Sequence, residues 1–182
     1  MVLPEPLGAE NMNEVMCRFI ELAGKKPGFT LVHSAGIEGY EKMVEHLRRT
    51  VPDYEKNGMD VREYIYDMPR VMAAADLVLC RAGASTISEL TYMHKPTIFV
   101  PSPFVTNNHQ FKNAKVVEDA GGALIFEEGW FEPKELLKAV NDILSSDDKL
   151  EKMSAAMAKL AKPEATDMIC DRIFSLLAEN RK

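Results

Sequence analysis

The chain has 182 residues, 46% of them hydrophobic, which is enough apolar material for one substantial core. Its formal net charge of -6 argues against a general electrostatic attraction to nucleic acid or to anionic lipid. The three cysteines lack CxxC spacing, and no apolar run reaches the roughly 18 residues of a membrane span. These features exclude a disulfide framework, a zinc site and a transmembrane helix, so we expect a cytoplasmic protein.

Helical and strand patterns alternate along the chain from the first helix onward. In chain order, the predicted elements are a helix at 12–22, a strand at 29–33, a helix at 38–50, a strand at 61–65, a helix at 68–74, a strand at 77–80, a helix at 85–93, a strand at 97–100, a helix at 110–120, a strand at 123–126, and helices at 133–144, 147–160 and 164–177. This alternation predicts an α/β fold with a three-layer, Rossmann-like parallel sheet flanked by helices.

The start of the chain is the irregular part of this pattern. Only Met1, Val2 and Leu3 are available for a strand before the first helix. Either these residues form a short first strand, or residues 1–6 are a truncated or non-native start of a larger protein. We expect a single domain over residues 1–182, with residues 163–182 forming its C-terminal helix.

The segment 76–89, DLVLCRAGASTISE, combines a buried strand, a turn of small residues and the start of a helix. Backbone N–H groups and the helix dipole at such a helix start favour a phosphate group. The small residues of the turn are equally explained by close packing of the helix on the strand. Glu89 adds a carboxylate suited to a ribose, but Thr86 and Glu89 also have the spacing of a capping box. In that case Glu89 only accepts a hydrogen bond from the backbone of Thr86.

Six ordered segments extend this signal over most of the chain: LGAENMNEV, YIYDM, ADLVLCRAGASTISEL, KPTIFVPSP, NNHQFKNA and EDAGGALIFEE. Together they resemble the C-terminal half of the MurG-type UDP-N-acetylglucosamine transferases of peptidoglycan synthesis, which belong to glycosyltransferase family 28. The resemblance implies half of a GT-B enzyme, in which two Rossmann-like domains face each other across a cleft. The C-terminal domain of that family binds the UDP-sugar, and the N-terminal domain binds the lipid-linked muramyl-pentapeptide acceptor.

The resemblance also implies what this chain needs and lacks. We expect it to bind UDP-N-acetylglucosamine without a metal or cofactor, and to be inactive alone because the catalytic base lies in the N-terminal acceptor-binding domain or subunit. That partner would bring it to the inner face of the cell membrane. Two alternatives stay open: a soluble donor subunit paired with a separate membrane acceptor subunit, and a non-catalytic nucleotide-sugar-binding protein.

Carried over residue by residue, the resemblance implies a UDP-sugar site with several contacts. Its expected members are Gly83, Ala84, Ser85 and Thr86 at the diphosphate, Glu89 at the ribose hydroxyls, Ile65 beside the uracil, His109, Gln110 and Asn113 at the sugar and phosphates, and Gly8 in a second phosphate loop. Ile65 is equally explained as an ordinary residue at a strand end, and His109 as an exposed loop histidine. Pro4, Glu5 and Pro6 depart from the glycine-rich pattern of the family, since prolines lack N–H donors and Glu5 would repel a diphosphate.

Three further features have structural alternatives. Arg81 follows the strand at 77–80 and either faces the phosphates or the partner domain, or is a buried arginine bonded to backbone carbonyls. His33 ends a strand, and we interpret it as a structural residue rather than a catalytic base. For Phe126, Trp130 and Phe131 we expect packing beneath the last helices rather than an exposed patch.

Overall fold

A computed structural model of the protein describes residues 2–3, 9–24 and 27–179. In chain order its elements are β1 (Val2–Leu3), α1 (Ala9–Ala23), β2 (Leu31–Ser34), α2 (Ile37–Thr50), β3 (Met59–Arg62), α3 (Met68–Ala74), β4 (Val78–Cys80), α4 (Ala84–Tyr92), β5 (Thr97–Phe99), a 3-10 turn (Thr106–Asn108), α5 (His109–Asp119), β6 (Ala123–Ile125), α6 (Pro133–Leu144), α7 (Asp147–Leu160) and α8 (Ala165–Glu179). The predicted α/β alternation is confirmed.

The strands form one parallel sheet in the order β3-β2-β1-β4-β5-β6. The two residues of β1 lie in its centre, because Val2 pairs with His33 of β2 and with Leu79 of β4. A very short first strand is therefore enough to join the two halves of the sheet. From β1 the chain first adds β2 and β3 on one side of the sheet, and it then crosses over to add β4, β5 and β6 on the other side. The position between β1 and β4 is therefore the topological switch point.

Helices cover both faces of the sheet, as predicted. Ile98 and Phe99 are successive residues of β5, so their side chains point to opposite faces. Ile98 packs with residues of α1, α2 and α6, including Phe19 and Leu47, in one buried cluster. Phe99 packs with Leu90 of α4 and with residues of α3, α5 and α7 in the other. The two apolar clusters hold the sheet between its helical layers and fix the strand ends that carry the site.

One strand boundary differs clearly from the prediction. The strand expected at 61–65 is β3 at Met59–Arg62, where Met59 and Val61 are buried and the ladder pairs Leu31 with Met59. Ile65 misled the prediction because it is apolar and buried, although it lies beyond the end of the ladder. Burial of a loop residue gives the same sequence signal as burial in a strand.

The last helix, α8, is formed as predicted but is not packed like the others. All of its residues are exposed, whereas α6 and α7 each bury at least three side chains. Among the residues that the structure describes, no helix is both long and apolar enough to cross a membrane.

Candidate functional site

The candidate site lies at the carboxyl edge of the sheet. Because all the pairings are parallel, the turns that follow the strands meet at this edge. Ligands of open α/β sheets bind there, at the switch point between β1 and β4. The β4–α4 turn contributes residues 81–83 to it. The β1–α1 turn contains Gly8 and the Pro4, Glu5 and Pro6 departure, all of which lie outside the described residues.

The start of α4 is an open helix N-terminus. The helix begins at Ala84 with Gly83 as its N-cap, and no described side chain caps it. Its first intrahelical hydrogen bond runs from the Ile87 N–H to the Gly83 carbonyl at 2.9 Å, so the N–H groups before it are left to solvent or a ligand. Ala84 and Ser85 are exposed. Uncapped N–H groups and the positive end of the dipole favour an anion such as a phosphate.

Glu89 is one turn further along α4, and the capping-box alternative for it is wrong. With Gly83 as the N-cap, Thr86 is the third helical residue and Glu89 lies in the second turn, too far along to reach the cap. The Glu89 side chain is exposed, and within the described ranges no residue bonds to or pairs with its carboxylate. A carboxylate without a protein partner, on the same helix as an open N-terminus, is chemically free to accept hydrogen bonds from hydroxyl groups.

His109 begins α5 and lies at the same edge of the sheet. The residue is exposed, and its Nδ1 is 3.0 Å from the carbonyl oxygen of Thr106. A carbonyl oxygen only accepts, so Nδ1 is the donor and Nε2 is left for solvent or a ligand. Asn107 and Asn108 before it have φ of 56° and 52°, a left-handed conformation that asparagine tolerates better than other non-glycine residues.

Gln110 and Asn113 both make hydrogen bonds within the protein, and their expected contact with the sugar and phosphates stays a prediction. Gln110 is only 3% exposed, and its Oε1 accepts a hydrogen bond from the Ser102 N–H at 2.9 Å. Asn113 Nδ2 donates to the Ala82 carbonyl at 3.3 Å. The two amides therefore tie α5 to the loops that follow β5 and β4. Asn113 in particular holds the turn that leads into α4.

Ile65 lies in the loop after β3, three residues beyond Arg62. Its side chain is only 1% exposed, and its expected place beside the uracil stays a prediction. The exposed residues at this position are its neighbours Tyr64 and Tyr66, whose rings lie 5.0 Å apart in an edge-to-face arrangement. Tyr64 and Tyr66 flank the buried Ile65 in the sequence, so both rings are turned away from the core.

Arg81 is a buried arginine bonded to a backbone carbonyl, which is one of the two alternatives given above, and it also pairs with an acidic side chain. Its guanidinium donates to the Val100 carbonyl at 2.9 Å and forms a buried ion pair with Glu128. Glu128 also accepts a hydrogen bond from the Asn11 side chain at 2.9 Å. The pair links β4, the loop after β6 and α1, and it neutralises the arginine charge beside the site. No local pattern could have pointed to Glu128, because Asn11 and Glu128 are 117 positions apart.

His33 is a structural residue, as predicted. Its Nε2 is 2.9 Å from Asn13 Oδ1, and Asn13 Nδ2 donates to the Ala35 carbonyl at 2.8 Å. Because Asn13 uses its Nδ2 as that donor, its oxygen accepts from His33 Nε2–H. Complete burial lowers the pKa of His33 to about 3. The ring is therefore neutral and is not a general base at physiological pH.

The aromatic residues after β6 divide into two groups. Phe126 and Phe131 are partly buried against the core, with ring centroids 5.2 Å apart, as expected. Trp130 is 85% exposed, so the expectation that it packs beneath the last helices is wrong. The preceding Gly129 has a φ of 83°, which turns the chain so that the indole points outward.

These features define a class of protein. A parallel sheet of strand order 3-2-1-4-5-6, with an uncapped helix N-terminus beside its switch point, is a Rossmann-like α/β domain. The family described as glycosyltransferase family 28 C-terminal domain matches residues 7–169, and the chain belongs to that family.

Similar proteins support the same assignment. The chain is 32% identical over 171 residues to the UDP-N-acetylglucosamine--N-acetylmuramyl-(pentapeptide) pyrophosphoryl-undecaprenol N-acetylglucosamine transferase of Desulforamulus reducens, covering 93% of this chain and 46% of the relative. It is 35% identical over 173 residues to the Bacillus cytotoxicus protein of the same name, with the same coverage. The chain therefore spans about half the length of these curated relatives.

Two solved structures extend the comparison. The crystal structure of Acinetobacter baumannii MurG superposes with a TM-score of 0.80 at 26% identity, covering 96% of this chain and 48% of that one. The S. aureus MnaA-UDP co-structure superposes with a TM-score of 0.69 at 14% identity, covering 97% of this chain and 45% of that one, which is a likeness of fold alone.

Proposed function

We propose that this chain is the donor-binding half of a glycosyltransferase that adds N-acetylglucosamine to lipid-linked muramyl-pentapeptide in peptidoglycan synthesis. The observation that carries the proposal is the open N-terminus of α4 beside the switch point, with the exposed Glu89 carboxylate, which has no partner among the described residues, one turn along the same helix. The relatives named for this reaction match the chain over nearly its whole length. As one domain, the chain supplies the donor site of the enzyme.

In this proposal the diphosphate of UDP-N-acetylglucosamine lies against the N–H groups of residues 84–86. Small side chains at Gly83, Ala84 and Ser85 let the phosphate oxygens approach the backbone. Glu89 accepts hydrogen bonds from the two ribose hydroxyls, a task for which its two oxygens are suited. His109 Nε2, free of a described protein partner, is available to the sugar or phosphate. Contacts of Gln110 and Asn113 with the sugar require their present hydrogen bonds to rearrange.

The reaction moves the sugar from one oxygen to another. An acceptor hydroxyl oxygen forms a bond to the anomeric carbon, while the bond from that carbon to the diphosphate breaks and its electron pair leaves with UDP. A base takes the proton of the attacking hydroxyl. Negative charge grows on the departing diphosphate, and the N–H groups and dipole of α4 stabilise it. The proposal assigns the base to the acceptor-binding half, as the resemblance implies, and His33 does not supply it because this residue is buried and neutral.

The proposed partner is therefore an N-terminal acceptor-binding domain or subunit. The acceptor is attached to a lipid, so the assembled enzyme works at the inner face of the cell membrane. Association with that membrane comes through the partner, since the net charge of this chain is -6.

Calorimetric titration with UDP tests the donor site. Hydrogen bonds to a charged group are worth about 1.5–3 kcal/mol, so Glu89→Ala should weaken UDP binding by roughly one to two orders of magnitude. Glu151→Ala removes a carboxylate of α7 that is also exposed and should leave the affinity unchanged. Equal affinities for wild type and Glu89→Ala would remove Glu89 from the site. A folded wild-type chain that does not bind UDP would contradict the donor-binding function.

A further inference from the structure

We infer that Glu128 is a positioning residue: through Asn11 and Arg81 it holds the first turn of α1 beside the start of α4, and it thereby raises the affinity of the site for a diphosphate. The inference rests on the proposed function, in which the diphosphate of the donor lies at the start of α4. It adds a role for side chains that act on the donor through the backbone they hold.

The two helix starts lie on opposite faces of the sheet. α1 follows β1 and α4 follows β4, which are neighbouring parallel strands, so both helices begin at the carboxyl edge. Met12 of α1 belongs to one buried cluster and Leu90 of α4 to the other, because the helices cover opposite faces. The two starts therefore belong to different halves of the core, and their spacing depends on the loops at this edge.

The spacing matters because the first N–H groups of a helix have no acceptor within that helix. A diphosphate has two phosphate groups and can accept hydrogen bonds from both helix starts when these are held at a fixed spacing. Gly8, which the resemblance places in a second phosphate loop, directly precedes Ala9, the first residue of α1. Movement of the α1 start would remove N–H donors from one phosphate and leave the proposed ribose contact of Glu89 in place.

Glu128 connects the two starts through one carboxylate. It lies in the loop between β6 and α6 and forms a buried ion pair with Arg81, the first residue of the β4–α4 turn. Arg81 also donates to the Val100 carbonyl at 2.9 Å, so the pair is held at the end of β5 as well. The same carboxylate accepts a hydrogen bond from Asn11 Nδ2 at 2.9 Å, and Asn11 is the third residue of α1.

The neighbours of Asn11 bond in the other direction. Glu10 pairs with Lys42 of α2, and Asn13 donates to the Ala35 carbonyl that follows β2. These contacts hold α1 to the half of the sheet that contains β2, whereas Asn11 links its first turn to the half that contains β4. Because Asn11 is exposed, its side chain can be removed without opening the buried ion pair.

The test therefore starts from Asn11→Ala in the full chain. Asn141→Ala is the matched control, because it removes another exposed asparagine, from α6. UDP and uridine, which lacks the diphosphate, are titrated into each protein, and their dissociation constants are measured from amide shifts. Hydrogen exchange without ligand is measured at the amides of residues 13–15, whose helical acceptors are the carbonyls of residues 9–11.

We expect Asn11→Ala to weaken UDP binding roughly threefold to tenfold and to change uridine binding by less than about twofold. Exchange of amides 13–15 should become faster, although alanine favours a helix more than asparagine does. In a chain with Arg81→Met and Glu128→Leu, Asn11 has no acceptor at position 128, so adding Asn11→Ala should not weaken UDP binding further. Asn141→Ala should match wild type in all of these measurements.

Three results would overturn the inference: unchanged UDP affinity in Asn11→Ala, equal losses of UDP and uridine affinity, or the same loss of UDP affinity with and without the Arg81–Glu128 pair. The last result would show that Asn11 contacts the donor itself. Unchanged exchange of amides 13–15 in Asn11→Ala would show, without any ligand, that the hydrogen bond does not hold the helix start. A wild-type chain that does not bind UDP would instead contradict the proposed function, so the two failures are distinguishable.

Discussion

The buried histidine beside the site predicts a particular loss of stability in acid. Folding lowers the pKa of His33 from an ordinary value of 6.5 to about 3, because the ring is completely buried. The unfolded chain therefore takes up a proton below pH 6.5 that the folded chain does not. The contribution of His33 is complete above pH 6.5 and is lost progressively as the pH falls from 6.5 toward 3.

The magnitude follows from the two pKa values. Between pH 7 and pH 5 the unfolded histidine becomes almost fully protonated while the folded one stays neutral, which costs about 2 kcal/mol of unfolding free energy. Other groups titrate in this range as well, so the comparison is made against a variant. His33→Asn removes the titration and leaves a side-chain N–H that can face Asn13.

Urea unfolding at pH 7 and pH 5, followed by circular dichroism, measures the effect. The variant is expected to be less stable than wild type at pH 7, because it leaves part of the histidine volume empty. Its loss between pH 7 and pH 5 should be smaller than that of wild type by about 2 kcal/mol. Equal losses of unfolding free energy between pH 7 and pH 5 in the two proteins would show that His33 is not a buried, neutral residue.

Two other predictions concern residues that hold the carboxyl edge together. Arg81→Met leaves the Glu128 carboxylate buried without its cation and should cost about 3–5 kcal/mol of unfolding free energy, whereas Arg81→Met with Glu128→Leu should recover most of that loss. Urea unfolding checks this, and a double variant no more stable than the single one would contradict it. Gly39→Ala would place a Cβ against Asn13 Nδ2, which is hydrogen-bonded to the Ala35 carbonyl, so we expect a loss of about 1–3 kcal/mol of unfolding free energy. A melting temperature at or above wild type, the usual result of Gly→Ala in a helix, would show that Asn13 is free to move.

The order and type of the helices and strands could be predicted from the sequence, because hydrophobic periodicity is a local property. The helices at Met68–Ala74, Pro133–Leu144 and Asp147–Leu160 have the predicted bounds, since proline, serine and acidic residues mark their starts. Segment 76–89 was likewise placed correctly as strand, turn and helix. The ends of β3 were not, because Ile65 is buried outside the ladder.

The partners of individual side chains could not be predicted from the sequence, because they depend on residues that only folding brings together. Glu128 meets Arg81 and Asn11, although Asn11 is 117 positions away in the sequence. Gln110 turns inward to a backbone N–H eight residues before it. The spacing of Thr86 and Glu89 fits both a capping box and a ribose contact. Because α4 starts at Ala84, the capping box is ruled out. A difference of one or two residues in a helix start is within the usual error of sequence-based boundaries.

The central claim is that UDP binds at the start of α4, and residue-resolved amide shifts during a UDP titration test it most directly. The account predicts the largest shifts of backbone N–H signals at Ala84, Ser85 and Thr86, with a further change at Glu89. It also predicts that inorganic diphosphate moves the first three signals and leaves Glu89 nearly unchanged. Saturable shifts confined to another part of the described structure, or none at millimolar UDP, would contradict the account.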